Sequence, residues 1–126
     1  MAEPIIIQIK GIEEVKRYLK DKNIEALRKV SAALNQSVLF LEAQIKNSIS
    51  HGTNAPIAVD TGNFMRSTTS EVYGFTGRII NYAEYGQYVE YGTSKMPARP
   101  HFRNTVFANQ NKIEEFMKAK IKEIEN

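Results

Sequence analysis

The chain has 126 residues and a mass of 14.3 kDa, with 42% apolar and 25% charged residues, enough for one globular domain that buries roughly two-thirds of its surface. That size excludes a two-domain enzyme built around a large cofactor. The lack of cysteine excludes a disulfide scaffold, a thiolate zinc site and a cysteine nucleophile. Seventeen Lys and Arg against fourteen Asp and Glu leave +3, spread over segments carrying both signs, which describes solvated faces rather than a nucleic-acid groove.

Taken in chain order, Ile5 to Ile9 reads as a short strand rich in β-branched isoleucine. Ile5-Ile6-Ile7, preceded by Glu3 and Pro4, is too short for a signal-peptide core, and no run approaches the ~20 apolar residues of a bilayer span. An intracellular protein is expected. Gly11 breaks the strand, and Ile12, Val15 and Leu19 then fall at helical spacing up to Lys22-Asn23. From Ile24 the pattern strengthens. Leu27, Val30, Leu34, Val38, Leu41, Ile45 and Ile49 form one stripe of an amphipathic helix that no Gly or Pro interrupts before Ser50. Such a helix is about 39 Å long and must be the spine of the fold.

Residues 51 to about 60 are polar and turn-rich and are expected to form a mobile loop. Ser67 to Tyr73 alternates like a strand, Gly74 to Gly77 makes a turn, and Arg78 to Asn81 continues as a second strand, giving a hairpin. Tyr82 to Thr93 is crowded with tyrosines and punctuated by Gly86 and Gly92. Pro97 and Pro100 forbid regular structure before one final helix, whose inner side carries Val106, Asn109, Ile113, Phe116 or Met117, Lys120 or Ile121, and Ile124. The order β, α, α, β, β, α predicts a single α+β domain over 1–126: a small antiparallel sheet packed against a long amphipathic helix, with a C-terminal helix.

Several constellations bear on chemistry. Asp60-Thr61-Gly62 spells the short motif of aspartic proteases, whose half-sized members dimerise so that two carboxylates share a proton, and Gly77-Arg78-Ile79-Ile80 loosely matches their second stretch. That fold is almost all strand, however, and its Gly-rich flap has no counterpart here. Asp60 is better read as the cap of a short helix opening at Thr61-Gly62-Asn63-Phe64. His51 and His101 have no carboxylate cluster beside them; a solvated His51 and a packed or capping His101 are expected, with no metal and no cofactor.

Tyr73, Phe75, Tyr82, Tyr85, Tyr88 and Tyr91, with Arg66, Arg78, Arg99 and Arg103, combine the residue types that stack on single-stranded nucleic acid with those that favour protein interfaces. Glu71, Glu84 and Glu90 dilute a phosphate-binding surface, so the interface reading is preferred, with a small nucleic-acid binder as the alternative beside the protease. Within Val89-Glu90-Tyr91-Gly92-Thr93 the glutamate needs solvent or a cation, and Arg99 is the expected bidentate partner.

These pieces recur in order in one family. Val59-Asp60-Thr61-Gly62, Arg66-Ser67, Tyr82-Ala83, Tyr88-Val89-Glu90-Tyr91-Gly92-Thr93, and Met96-Pro97-Ala98-Arg99-Pro100 with Phe102 resemble the head–tail connector (neck, minor capsid or tail-completion) proteins of long-tailed phages and prophages. The resemblance spans nearly the whole chain, since members open with an amphipathic helical region and close with a helix. One departure is the stretch Glu84-Tyr85-Gly86-Gln87-Tyr88, where members run almost directly from tyrosine-alanine into valine-glutamate.

The resemblance implies a structural virion protein without catalysis, made in the host cytoplasm and placed in the neck. There it would form a homo-oligomeric ring between the head connector and the tail-tube or tail-terminator proteins, with DNA passing through the lumen and no membrane involved. Asp60, Gly62, Tyr82, Tyr88, Glu90, Tyr91, Gly92, Arg99, Pro100 and Phe102 are its candidate structural and interface residues.

Overall fold

A computed structural model describes residues 4–9, 24–57, 61–73 and 76–125. The expected helix over residues 12–22, Asp60 and the Gly74-Phe75 tip lie outside the described residues. The fold is α+β: a three-stranded antiparallel sheet with a long helix against one face and a C-terminal helix.

The spine is α1 (Ile24–His51), 28 residues and about 42 Å long. It runs unbroken through Asn35-Gln36-Ser37, where the Ser37 hydroxyl donates to the Ala33 carbonyl at 2.9 Å and so needs no other partner in the core. Val30, Leu34, Val38, Leu41, Ile45 and Ile49 of the predicted stripe are all buried, and Ala33, Ser37 and Ser48 share their face. His51 is the last residue of this helix rather than part of the loop, and it is exposed.

The sheet combines β1 (Ile5–Ile9), β2 (Thr68–Tyr73) and β3 (Thr76–Asn81) in the order β1-β3-β2, with Ile5 opposite Asn81 and Thr68 opposite the same Asn81. The hairpin is tighter than the sequence suggests: Tyr73 pairs with Thr76, so Gly77 belongs to the strand and not to the turn. It is needed there for proximity. Gly77 faces α1 so closely that a Cβ would overlap the Val38 side chain, and this close approach lets helix and sheet share one core. On the opposite face Arg78 pairs with Glu71 across the strands and lies over the Tyr73 ring at 5.7 Å.

Helix α2 (Thr61–Arg66) opens where the sequence places it and buries Phe64 completely. Two helices appear where one was expected at the C-terminus: α4 (His101–Ala108) and α5 (Gln110–Glu125). Asn109 separates them. Its side chain donates to the Thr105 carbonyl at 2.8 Å, and its backbone N–H is shared between Thr105 and Val106, the competition for helix carbonyls that asparagine brings to a helix interior. The predicted inner residues Val106, Ile113 and Met117 still pack on the core, and Phe116 meets Phe40 of α1 edge-on, ring centroids 5.4 Å apart.

Candidate functional site

The tyrosine-rich stretch folds into a short helix, α3 (Gly86–Tyr91), which the glycines at its ends had hidden. Its inner face is Gly86, Val89 and Glu90; its outer face is Tyr88 and Tyr91, more than half exposed. Tyr82 is exposed as well, whereas Tyr85 turns inward against Phe64 at 6.0 Å between centroids, its hydroxyl accepting from Asn63 Nδ2 at 3.0 Å. The extra residues 84–88 thus pack one tyrosine, half-buried, against the core and place another on the surface. Phe75 lies outside the described residues.

Glu90 is fully buried, and its cation is not the expected Arg99. Oε1 accepts the Phe102 backbone N–H at 2.9 Å, and Oε2 accepts the backbone N–H of Arg103 at 2.9 Å and its Nε at 3.0 Å. The guanidinium also donates from its second nitrogen to the Glu90 carbonyl at 2.6 Å. Helix α4 starts after Pro100, which has no side-chain group to cap it, so the carboxylate of α3 satisfies the orphan N–H groups from 12 residues away. Arg99 precedes a proline and is biased away from helix, and its own N–H is committed to the Val89 carbonyl at 2.6 Å. It folds the loop back as expected, but through its backbone. Arg103, on the first turn of α4, is the cation in reach.

That loop depends on Gly92, whose φ of 76° is the left-handed region and where a Cβ would sit 2.7 Å from the Ala98 nitrogen. Thr93 and Met96 then exchange backbone hydrogen bonds. The Arg103 guanidinium carbon lies 4.6 Å from the centre of the Tyr91 ring, stacking the charge on the exposed aromatic. Phe102 is buried against Phe64 at 6.1 Å, and Phe107, one turn beyond Arg103, is the most exposed large apolar side chain among the described residues, at 78%.

The packed His101 is equally committed. Nε2 lies 2.9 Å from the Pro56 carbonyl, which only accepts, so Nε2 carries the proton and Nδ1 accepts from the Ser48 hydroxyl at 2.8 Å. Ser48 Oγ in turn accepts the Asn54 N–H at 3.1 Å. Burial pushes the imidazole below its ordinary value of 6.5; the Pro56 hydrogen bond and the Glu90 carboxylate pull upward, and Arg99 pushes further down. Ser48 and His101 stand at nucleophile–base distance, but both are wholly buried and the hydroxyl serves the loop, so no substrate reaches it.

Asn54 ties the same segment to α4 twice, through Nδ2 to Thr105 Oγ1 at 3.0 Å and through its carbonyl to Asn104 Nδ2 at 2.9 Å. Residues 52–57 of the expected loop are thus anchored through Gly52, Thr53, Asn54 and Pro56. A third buried centre, Asn81, donates to the Phe64 carbonyl at 2.7 Å and Thr68 Oγ1 at 2.9 Å and accepts the Ala83 N–H at 3.0 Å, joining α2, β2 and the approach to α3. Nothing in the sequence had marked Asn81, Ser48 or Asn54.

Of the candidate residues, Glu90, Gly92, Arg99, Pro100 and Phe102 thus converge on the α3–α4 junction, with Tyr88 and Tyr91 on its surface, whereas Tyr82 is exposed just beyond β3, its N–H donating to the Ser67 carbonyl. Gly62 sits apart in α2, where a Cβ would meet the Arg66 guanidinium at 3.1 Å. Among the described residues no group of three His, Asp or Glu side chains is placed to hold a metal, and no helix is long and apolar enough to cross a membrane. Comparison with protein-family models, curated proteins and solved structures returns no match.

Proposed function

We propose that the chain is a structural subunit of the neck of a long-tailed phage, assembling with copies of itself into a ring that joins the DNA-filled head to the tail. The observation that carries this reading is the pair Tyr88 and Tyr91, exposed one turn apart on a helix that is locked from behind by the buried Glu90. Large aromatic rings held at fixed positions lose little entropy on contact, which suits a protein interface. The motif resemblance from Val59 to Phe102 gives the partners: a head connector on one side and tail-tube or tail-terminator proteins on the other.

Ring closure needs head-to-tail contacts and hence two different faces. The tyrosine face is one. The outer side of α1 supplies a second, since Ala32, Asn35, Gln36, Leu39 and Ala43 are exposed there without a charge among them, and Leu39 is an apolar residue half in solvent. A nucleic-acid surface fits less well, because Arg78 and Arg103 are already paired with Glu71 and Glu90.

Electron microscopy of a lysate from phage or prophage whose copy of this gene carries an early stop codon tests the proposal. Filled heads and finished tails lying unjoined are expected. Normal joined particles would overturn it, and empty or unprocessed heads would move the protein to an earlier step.

A further inference from the structure

Independently of the connector reading, the packing around His101 carries a consequence for residues 52–57. We infer that His101 is a proton-operated latch: protonation of its imidazole releases residues 52–57 from α4 while the rest of the core stays folded.

The neutral ring is bonded at both nitrogens in one sense only, Ser48 Oγ–H to Nδ1 and Nε2–H to the Pro56 carbonyl, with the Asn54 N–H completing the chain on Ser48 Oγ. A proton arriving at Nδ1 faces the Ser48 hydroxyl hydrogen. The hydroxyl must turn its hydrogen away and accept from the ring as well as from the Asn54 N–H, so what protonation adds at this site is a buried positive charge. The surroundings compensate the new charge only in part. From α1 the ring meets Ser48; from α2 it meets the Phe64 ring at 6.4 Å between centroids. From α3 the nearest charge is Glu90, already saturated by Phe102, Arg103 and the Arg103 guanidinium on α4. The connecting segment brings Arg99, a like charge. Swinging the ring toward water is the inexpensive escape, because Pro56 and Ile57 above it are exposed, whereas Ser48 behind it belongs to the spine. Local opening of so small a segment costs far less than global unfolding. Residues 52–57 are therefore the part of the fold that a fall in pH frees first.

Amide hydrogen exchange tests this on the full chain between pH 7.5 and 5.5, expressed as protection factors so that intrinsic exchange cancels. Protection at Asn54, whose N–H is held by Ser48 Oγ, is expected to fall about tenfold or more, while Leu41 and Ile45 on α1 keep theirs. A pH-independent loop, or a loop and core that lose protection together, would overturn the inference. In His101→Gln, whose amide can still donate to Pro56 and accept from Ser48, loop protection should no longer depend on pH; persistence of the dependence would assign it elsewhere. Should that variant not fold, the His101 ring proton in His51→Gln protein, which has no other histidine, gives the titration midpoint by NMR. It must coincide with the midpoint of loop opening, and a clear mismatch overturns the latch.

Discussion

Arg103 makes three hydrogen bonds to Glu90: its backbone N–H and Nε both reach Oε2, and its guanidinium closes on the Glu90 carbonyl. One residue is thus cap, counter-ion and clasp for another, and the helix bearing Tyr88 and Tyr91 is welded to the start of α4. Glu90→Ala leaves two helix N–H groups unsatisfied and should cost about 3 kcal/mol of folding free energy. Glu90→Gln, which keeps an acceptor, should cost about half as much. Arg103→Ala, half-exposed at its side chain, should cost about 1 kcal/mol. Urea denaturation of the double mutant should show a loss smaller than the sum; strict additivity would mean the two do not act together.

Stability should fall on mild acidification. The folded state holds the His101 imidazole below its ordinary 6.5, so the unfolded chain takes the proton first. The contribution is complete above about pH 6.5 and is lost as pH drops from there through the folded value, at a slope of at most about 1.4 kcal/mol per pH unit. Urea midpoints at pH 7.5 and 5.5 read this directly. His101→Gln should flatten the difference, and an unchanged slope in that variant would place the effect on other groups.

At Gly77 a methyl group has nowhere to go. Gly77→Ala should destabilise by about 2–3 kcal/mol through overlap with Val38. Val38→Ala, a cavity mutation alone, should partly rescue it by vacating the space the new methyl needs. Thermal unfolding of the two single mutants and the double mutant decides; a double mutant no better than Gly77→Ala would show that the strand had moved instead.

Tyr88→Ala/Tyr91→Ala removes two exposed rings and should change stability by less than about 1 kcal/mol. On the proposed connector role, joining of heads to tails in a complementation assay should be lost. Normal joining by a folded double mutant would remove these tyrosines from the interface.

The spine and the hairpin were legible because each carries its own period: Leu34, Val38, Leu41 and Ile45 repeat at helical spacing and Ser67 to Tyr73 alternates like a strand, while the first strand showed in its β-branched isoleucines. Helix α3 was not, since Gly86 opens and Gly92 closes a helix of only six residues and both read as breaks. Glu90 stood out as a charge needing a partner, yet the partner was misassigned. The loop does fold back through Arg99, but the carboxylate is recruited by the uncapped end of α4, a demand that only the three-dimensional start of that helix creates. Asn54, Ser48 and His101 meet across some fifty residues of sequence, beyond the reach of any local pattern.

The strand order sets a schedule for synthesis. Residues 5–9 are made early but have no mate until residues 77–81 exist. By then α1 has been produced with its apolar stripe awaiting cover, and β3 must enter the sheet between a strand made just before it and one made long before. The contact that completes the sheet spans most of the chain, so closing it is an entropic cost met late, after the β2–β3 hairpin has formed. A ribosome stalled short of Thr76 would carry a chain with a helix, an unpaired first strand and no sheet, the state in which this protein is most exposed to aggregation.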